Sequence, residues 1–336
     1  MATEPARRPS RRVLVPAVSG PFLRPAGPVR TFAGDTMGTG WSVKLAGRPD
    51  VTDAAIEAAI RQALDGVIAE MSGWNPASDL VRYNRAPPGT WHALPDGFLA
   101  VLRCALRIAE LSEGAFDPTL GALVESWGFG PSGPIAGFPE PAALDGHRRA
   151  CFWRGLRLES RSLFQPGGLS LDLSGIAKGF AVDQVAAALR GLGLSSVLVE
   201  IGGELRGEGV KPDLSPWWVA LEQPPGTVGL PETLVALHGL SVATSGDYRR
   251  VREVGGRLMS HTIDPATGAP TNSALASVSV LHESCMEADA WATALTVLGP
   301  DKAMQVAARH GIAAHFLLRE GGGFREMCSP ALEALS

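Results

Sequence analysis

The stretch GLSLDLSGIAKGFAVDQVAAAL, residues 168–189, constrains this chain more than any other. Leu169, Leu171 and Leu173 alternate with Ser170, Asp172 and Ser174, a period of two that predicts a strand with the leucines facing the core and Asp172 facing away. Phe180, Val182, Val185, Ala186 and Leu189 then follow at helical spacing. Between them, Gly175 and Gly179 allow a tight turn and close approach to a ligand. A helix start beside a carboxylate and Lys178 suits a phosphate with a cation. An ordinary strand, turn and helix with a solvated Asp172 and Lys178 fits the same residues.

The 336 residues, 45% of them hydrophobic, can bury a sizeable core. A net charge of −4 supplies no basic field, so no nucleic-acid partner is expected. Cys104, Cys151, Cys285 and Cys328 form neither a paired motif nor a dense framework and read as free thiols. No apolar run is long enough to span a membrane. Residues 1–28 are expected to be a disordered basic, proline-rich tail, and 29–336 a single domain of two packed lobes. The pair Arg11-Arg12 precedes an apolar run that Pro16 interrupts, far short of the roughly 7–15 residues of an export signal. A cytoplasmic location is therefore favoured, with export by an atypical twin-arginine signal as the alternative.

Strands are expected at 29–33 and 40–46 around an exposed glycine-rich turn at 34–39, and at 152–158, 168–174, 196–202, 217–221 and 233–238. Further strands are expected at 277–282 and 312–319, and 248–254 with 257–263 flank Gly255-Gly256 as a hairpin. Thr52 caps a helix whose buried stripe is Ile56, Ile60, Leu64, Val67 and Met71. Ser78–Tyr83 is expected as a short helical turn, and Asp96 as the cap of a second long helix. Asp117 and Pro118 are expected to open a third, ending near Trp127. Helices at 286–298 and 303–310 are separated by Gly299-Pro300. Residues 168–202 read as one β–α–β unit; elsewhere strands and helices mix without strict alternation, so the fold class is α+β, with mixed or antiparallel sheets flanked by helices.

In the helix after Cys285, Asp289 and Thr293 are four residues apart and share a face. A carboxylate and a hydroxyl are two hard oxygen ligands of the kind Mg²⁺ takes; solvated side chains on an exposed face are the other reading. The surrounding alanines and Leu295 favour burial, which would oblige the pair to find a partner. His261 stands at a strand end near Asp264, where it either shuttles protons or packs while Asp264-Pro265 starts a turn. Thr244, Ser245 and Gly246 offer hydroxyls and amides to a ligand, or form a plain glycine turn. The sequence contains no phosphate loop, dinucleotide fingerprint, nucleophile elbow or zincin motif. His310 and His315 have no cysteine or acidic residue close by in sequence and read as surface or core histidines.

Eight ordered pieces together resemble the FAD:protein FMN transferase (ApbE) family. They are DTMGT at Asp35, MSGWNPASDLVRYN at Met71, GAFDPTLGALVESWGFG at Gly114, LDLSGIAKGFAVD at Leu171, LVEIGGELR at Leu198, ATSGDYRR at Ala243, HTIDPATGAP at His261 and EADAWATAL at Glu287. The resemblance implies a Mg²⁺-dependent transferase that cleaves FAD, attaches FMN through a phosphoester to a Ser or Thr of an acceptor protein, and releases AMP. By position, it places the metal on Asp289, Thr293 and the carbonyl of Gly175, and FAD contacts at Met37, Trp74, Ala115, Phe116, Asp117, Asp172 and Lys178. It makes His261, with Asp264 beside it, the catalytic candidate, and puts Thr244 to Gly246 along the same cleft. Three positions depart from the family pattern: Trp74 replaces a tyrosine, and Glu200 and Glu204 stand where Asn and Asp are more usual. Release of free FMN by a pyrophosphatase, or FAD binding without catalysis, are the alternatives.

Overall fold

The computed structural model describes residues 11–16, 23–248, 251–254 and 256–335. Among these, eight strands form one antiparallel sheet in chain order: β1 (Arg30–Thr36), β2 (Thr39–Ala46), β3 (Ser196–Ile201), β4 (Glu204–Glu208), β5 (Leu240–Gly246), β6 (Leu275–His282), β7 (Ala313–Glu320) and β8 (Gly323–Cys328). Each strand lies beside its successor, so everything else is an excursion from a meander. The first turn is tighter than its sequence suggests. Thr36 pairs directly with Thr39, and Met37 (φ 49°) and Gly38 (φ 71°) form the two-residue loop whose positive φ values match strand twist.

One face of the sheet carries α1 (Asp53–Met71), α2 (Asp96–Leu111), α3 (Ala177–Gly191) and α4 (Cys285–His310), the last broken at Gly299 (φ 72°) before Pro300. The Thr52 hydroxyl accepts the Ala55 amide, and the expected stripe of α1 is buried, because a helix lying on a sheet must hide a continuous apolar face. The cap of α2 differs from expectation. Asp96 is its first helical residue, and the Phe98 amide is instead taken by Glu70 from α1 (2.6 Å). Gly179 shows why α3 and α4 can cross so closely: a Cβ there would stand 2.7 Å from the Cys285 carbonyl carbon and 2.8 Å from Asp289 Cβ. The Asp183 carboxylate then fixes the start of α4 by accepting from the Ser284 hydroxyl and the Cys285 and Met286 amides.

The other face is covered by a small sheet of Arg11–Leu14, Glu232–Leu237 and Trp217–Ala220 over Leu14, Trp217, Val235, Leu237, Val242 and Leu281. Arg11–Leu14, expected within a disordered tail, runs parallel to Glu232–Leu237; residues 1–10 and 17–22 of that tail lie outside the described residues. Arg12 pins this strand to β8, with its guanidinium 2.8 Å from Glu326 and 3.1 Å from Cys328. His315, expected to lack acidic or cysteine partners, is buried and bonds to Glu326 (2.6 Å). Its place opposite Cys328 comes from the pairing of β7 with β8, which sequence neighbours do not reveal.

Other expectations change. Residues 168–174 make only a single bridge, Ser170 to Leu120, so there is no β–α–β unit. The leucines are buried as predicted, but the backbone is tethered by side chains: Leu171 exchanges two hydrogen bonds with Asn84, and Gln165 donates to the Leu169 carbonyl. Residues 152–157 hold a 3₁₀ turn at Trp153–Gly155 rather than a strand; the strand is only Leu158–Glu159, which joins Thr90–Ala93 and Ser162–Gln165 in a small three-stranded sheet. A helix at Pro141–Ala150 with no buried residue carries no apolar stripe to announce it. The third expected helix begins at Gly121 because the Asp117 carboxylate folds back on Thr119. The hairpin strands are Val251–Val254 and Arg257–Ser260; residues 249, 250 and 255 of that motif lie outside the described residues.

Candidate active site

Two adjoining cavities open where the helix layer meets the ends of β1, β2 and β5. The smaller, about 290 Å³, gathers Ala115, Phe116, Asp117, Asp172, Gly175, Lys178, Thr244, Ser245, Gly246, His261, Asp289 and Thr293. The larger, about 990 Å³, lies between the end of α1, the segment 170–174 and the hairpin, and takes in Met37 and Trp74. Asp172, Lys178 and His261 border both, so the two spaces form one cleft.

The corner of the smaller cavity is built by the crossing at Gly179. Asp289 is buried and accepts the Gly179 amide through Oδ2 (3.0 Å), while Lys178 Nζ lies 3.9 Å from Oδ1. Burial pushes the Asp289 carboxyl above its usual range against the pull of Lys178 and the Gly179 amide. One turn later the Thr293 hydroxyl meets Ser245 Oγ at 3.3 Å, and the Gly175 backbone approaches so closely that a Cβ would stand 3.0 Å from Thr293 Oγ1. Three elements thus bring polar groups to one corner of the cavity: a buried carboxylate, two hydroxyls and a glycine turn. A carboxylate beside hydroxyls is a donor set that suits a hard divalent cation such as Mg²⁺.

Lys178 is held chiefly by Glu204, whose buried carboxylate is 2.6 Å from Nζ. Glu200 closes the Gly202-Gly203 turn by accepting the Gly203 amide (2.9 Å) and the Ser42 hydroxyl (3.2 Å). The two glutamates therefore have separate tasks, one orienting a lysine and one shaping a turn. Asp117 is buried, which raises its carboxyl against hydrogen bonds from the Thr119 hydroxyl and amide and from the Trp153 backbone. Asp172 accepts the Ser174 amide (2.6 Å) and holds the turn before Gly175.

Two expected site residues are placed differently. Asp264 borders neither cavity; its carboxylate accepts the Ala266 amide and the Thr267 hydroxyl, a turn-forming role set by Pro265. Thr244 borders the cleft, but its hydroxyl bonds to Ser279 (2.8 Å), because alternate residues of β5 face opposite sides of the sheet. Ser245 is the one whose side chain reaches Thr293. His261 stands at the junction of the cavities with its ring 6.5 Å from Phe129. Phe129, part of the piece at Gly114 but given no role there, and Arg252, outside every such piece, also line the larger cavity. Trp74, 56% exposed, presents its indole at that cavity's wall.

Comparison with known proteins supplies the family. The chain is 37% identical over 320 residues to a Haemophilus influenzae protein named FAD:protein FMN transferase, covering 92% of each, and 36% identical over 304 residues to one from Vibrio cholerae, covering 90% of this chain and 91% of the relative. Its fold matches the crystal structure of Pseudomonas stutzeri flavinyl transferase ApbE with a TM-score of 0.85 at 38% identity, over 91% of this chain and 96% of that one. The Vibrio cholerae flavin transferase ApbE matches with a TM-score of 0.84 at 35% identity, over 91% and 99%. The profile of the ApbE family covers residues 37–316, and the chain belongs to the ApbE family.

Proposed function

We propose that this chain is a Mg²⁺-dependent FAD:protein FMN transferase, joining FMN through a phosphoester to a Ser or Thr of an acceptor protein and releasing AMP. The observation that carries the reading is the buried Asp289 carboxylate set beside Thr293 and Gly175 at the end of a cleft large enough for a dinucleotide. The cleft walls present Asp117, Glu125, Asp172, Glu204 and Asp289 against Arg85, Lys178 and Arg252. A diphosphate would be repelled there without an added cation. Mg²⁺, when bound, would neutralise the diphosphate and stabilise the charge on the departing phosphate.

The protein's own groups supply the rest. Trp74 offers an aromatic face to the flat isoalloxazine, and its loss of a phenol relative to tyrosine leaves stacking intact. Lys178, held by Glu204, adds a fixed positive charge where the two cavities join. His261 takes the proton of the acceptor hydroxyl as its oxygen bonds to the FMN phosphorus and the bond to the AMP phosphate breaks. Phosphoryl transfer needs little covalent help, so positioning and charge supply most of the rate.

The test is to incubate the protein with FAD, Mg²⁺ and candidate acceptors, following AMP by chromatography and the acceptor by intact mass and in-gel flavin fluorescence. Transfer predicts that AMP and flavinylated acceptor rise together and only with acceptor. Rapid AMP and free FMN without acceptor would establish a pyrophosphatase instead. FAD retained with no AMP under any metal would reduce the protein to a binder.

A further inference from the structure

We infer that Arg252 is a phosphate-binding residue of the larger cavity, one that fixes the phosphate chain of the dinucleotide beside His261. This rests on the FAD reading of the cleft. Arg252 pairs with Met259 across the hairpin, so both side chains face the same way. Met259 packs on the cluster of Leu123, Trp127 and Ile263 that also holds Phe129. This seats the Arg252 guanidinium over the Phe129 ring, 5.6 Å from its centroid, and the same ring meets His261 edge-on. Arginine, aromatic ring and histidine form one side of the larger cavity.

Arg252 Nη1 is buried with no hydrogen-bond partner among the described residues. A buried charged donor left unbonded costs more than a neutral one, and an anion is the ligand that removes the cost while matching the planar fork of the guanidinium. The other cations of the cleft are placed differently: Lys178 is engaged by Glu204, and Arg85 is exposed at the end of a short helix. Glu125, the nearest acid in chain order to Phe129, is occupied by the Ser132 amide. Among the described residues, an anion entering the larger cavity therefore finds in Arg252 the cation that shares the Phe129 ring with His261.

The test compares wild type, Arg252→Gln and Arg252→Lys with Mg²⁺ present, titrating FAD, ADP and riboflavin by flavin fluorescence or calorimetry. Arg252→Gln is expected to weaken FAD and ADP by about tenfold or more while leaving riboflavin unchanged, and to flatten the salt dependence of FAD binding. Arg252→Lys should recover part of the affinity, and KM for FAD should rise more than kcat falls. Equal loss for riboflavin and FAD would make Arg252 a packing residue and overturn the inference, as would unchanged FAD affinity in both variants. Wild type that binds riboflavin and ADP no better than a denatured control would sink the FAD reading of the cleft itself.

Discussion

Replacing Gly179 by alanine tests whether the helix crossing builds the site. Alanine normally favours a helix over glycine by about 1 kcal/mol. Here its methyl would stand 2.7 Å from the Cys285 carbonyl carbon and closer still to that carbonyl's oxygen, so reaching an ordinary contact requires α3 and α4 to part by roughly 1 Å. Overpacking of that kind costs about 1–3 kcal/mol. The net loss of up to about 2 kcal/mol corresponds to a fall of at most a few degrees, roughly 8 °C or less, in thermal midpoint. The same displacement would carry Asp289 away from Gly175 and break its bond to the Gly179 amide, and misplacements approaching 1 Å can cost on the order of 100-fold in rate. Calorimetry and a Mg²⁺ titration of transfer should both change. An alanine variant with an unchanged or raised midpoint and an unaltered Mg²⁺ dependence would refute the role given to the crossing.

Asp289→Ala should weaken Mg²⁺ binding and largely abolish transfer while FAD still enters the larger cavity; undiminished activity across a Mg²⁺ titration would remove Asp289 from the site. His261→Ala should lower kcat by about 100-fold or more with little change in FAD affinity, and a variant that loses only FAD affinity would assign His261 to packing. Glu326 is held below its usual range first by His315 and then, beyond the opposing cost of burial, by Arg12. A depressed carboxylate stabilises the fold above its unfolded pKa, and that contribution is lost as pH falls through the lower folded value. Urea stability measured from pH 6 down to pH 3 should therefore drop less steeply in Glu326→Gln than in wild type; parallel curves would contradict this.

Much of this protein can be read along the chain because the signals are local. The α1 stripe, the Thr52 cap, the break at Gly299-Pro300 and the shared face of Asp289 and Thr293 follow from helical period and backbone chemistry, and each is found. The apolar surroundings of Asp289 correctly implied burial. The residues that the ApbE resemblance placed border the cleft, Asp264 excepted, but the resemblance did not say which way their side chains point. Thr244 and Ser245 are neighbours whose roles divide at the pleat, and Asp264 spends its carboxylate on its own turn.

What tertiary structure alone decided is pairing at a distance. Residues 168–174 have the alternation of a strand, yet Asn84 and Gln165 side chains take up backbone groups that a neighbouring strand would have paired. Gly179 looked like a residue for approaching a ligand and serves instead to bring two helices together. Arg11–Leu14 became a strand because Glu232–Leu237 offered it an edge, and Arg252 reached the cleft because a hairpin folded over Phe129. Period and composition fix which face of a segment is buried; which segment lies against it is set by contacts between residues far apart in sequence, and those create the cleft.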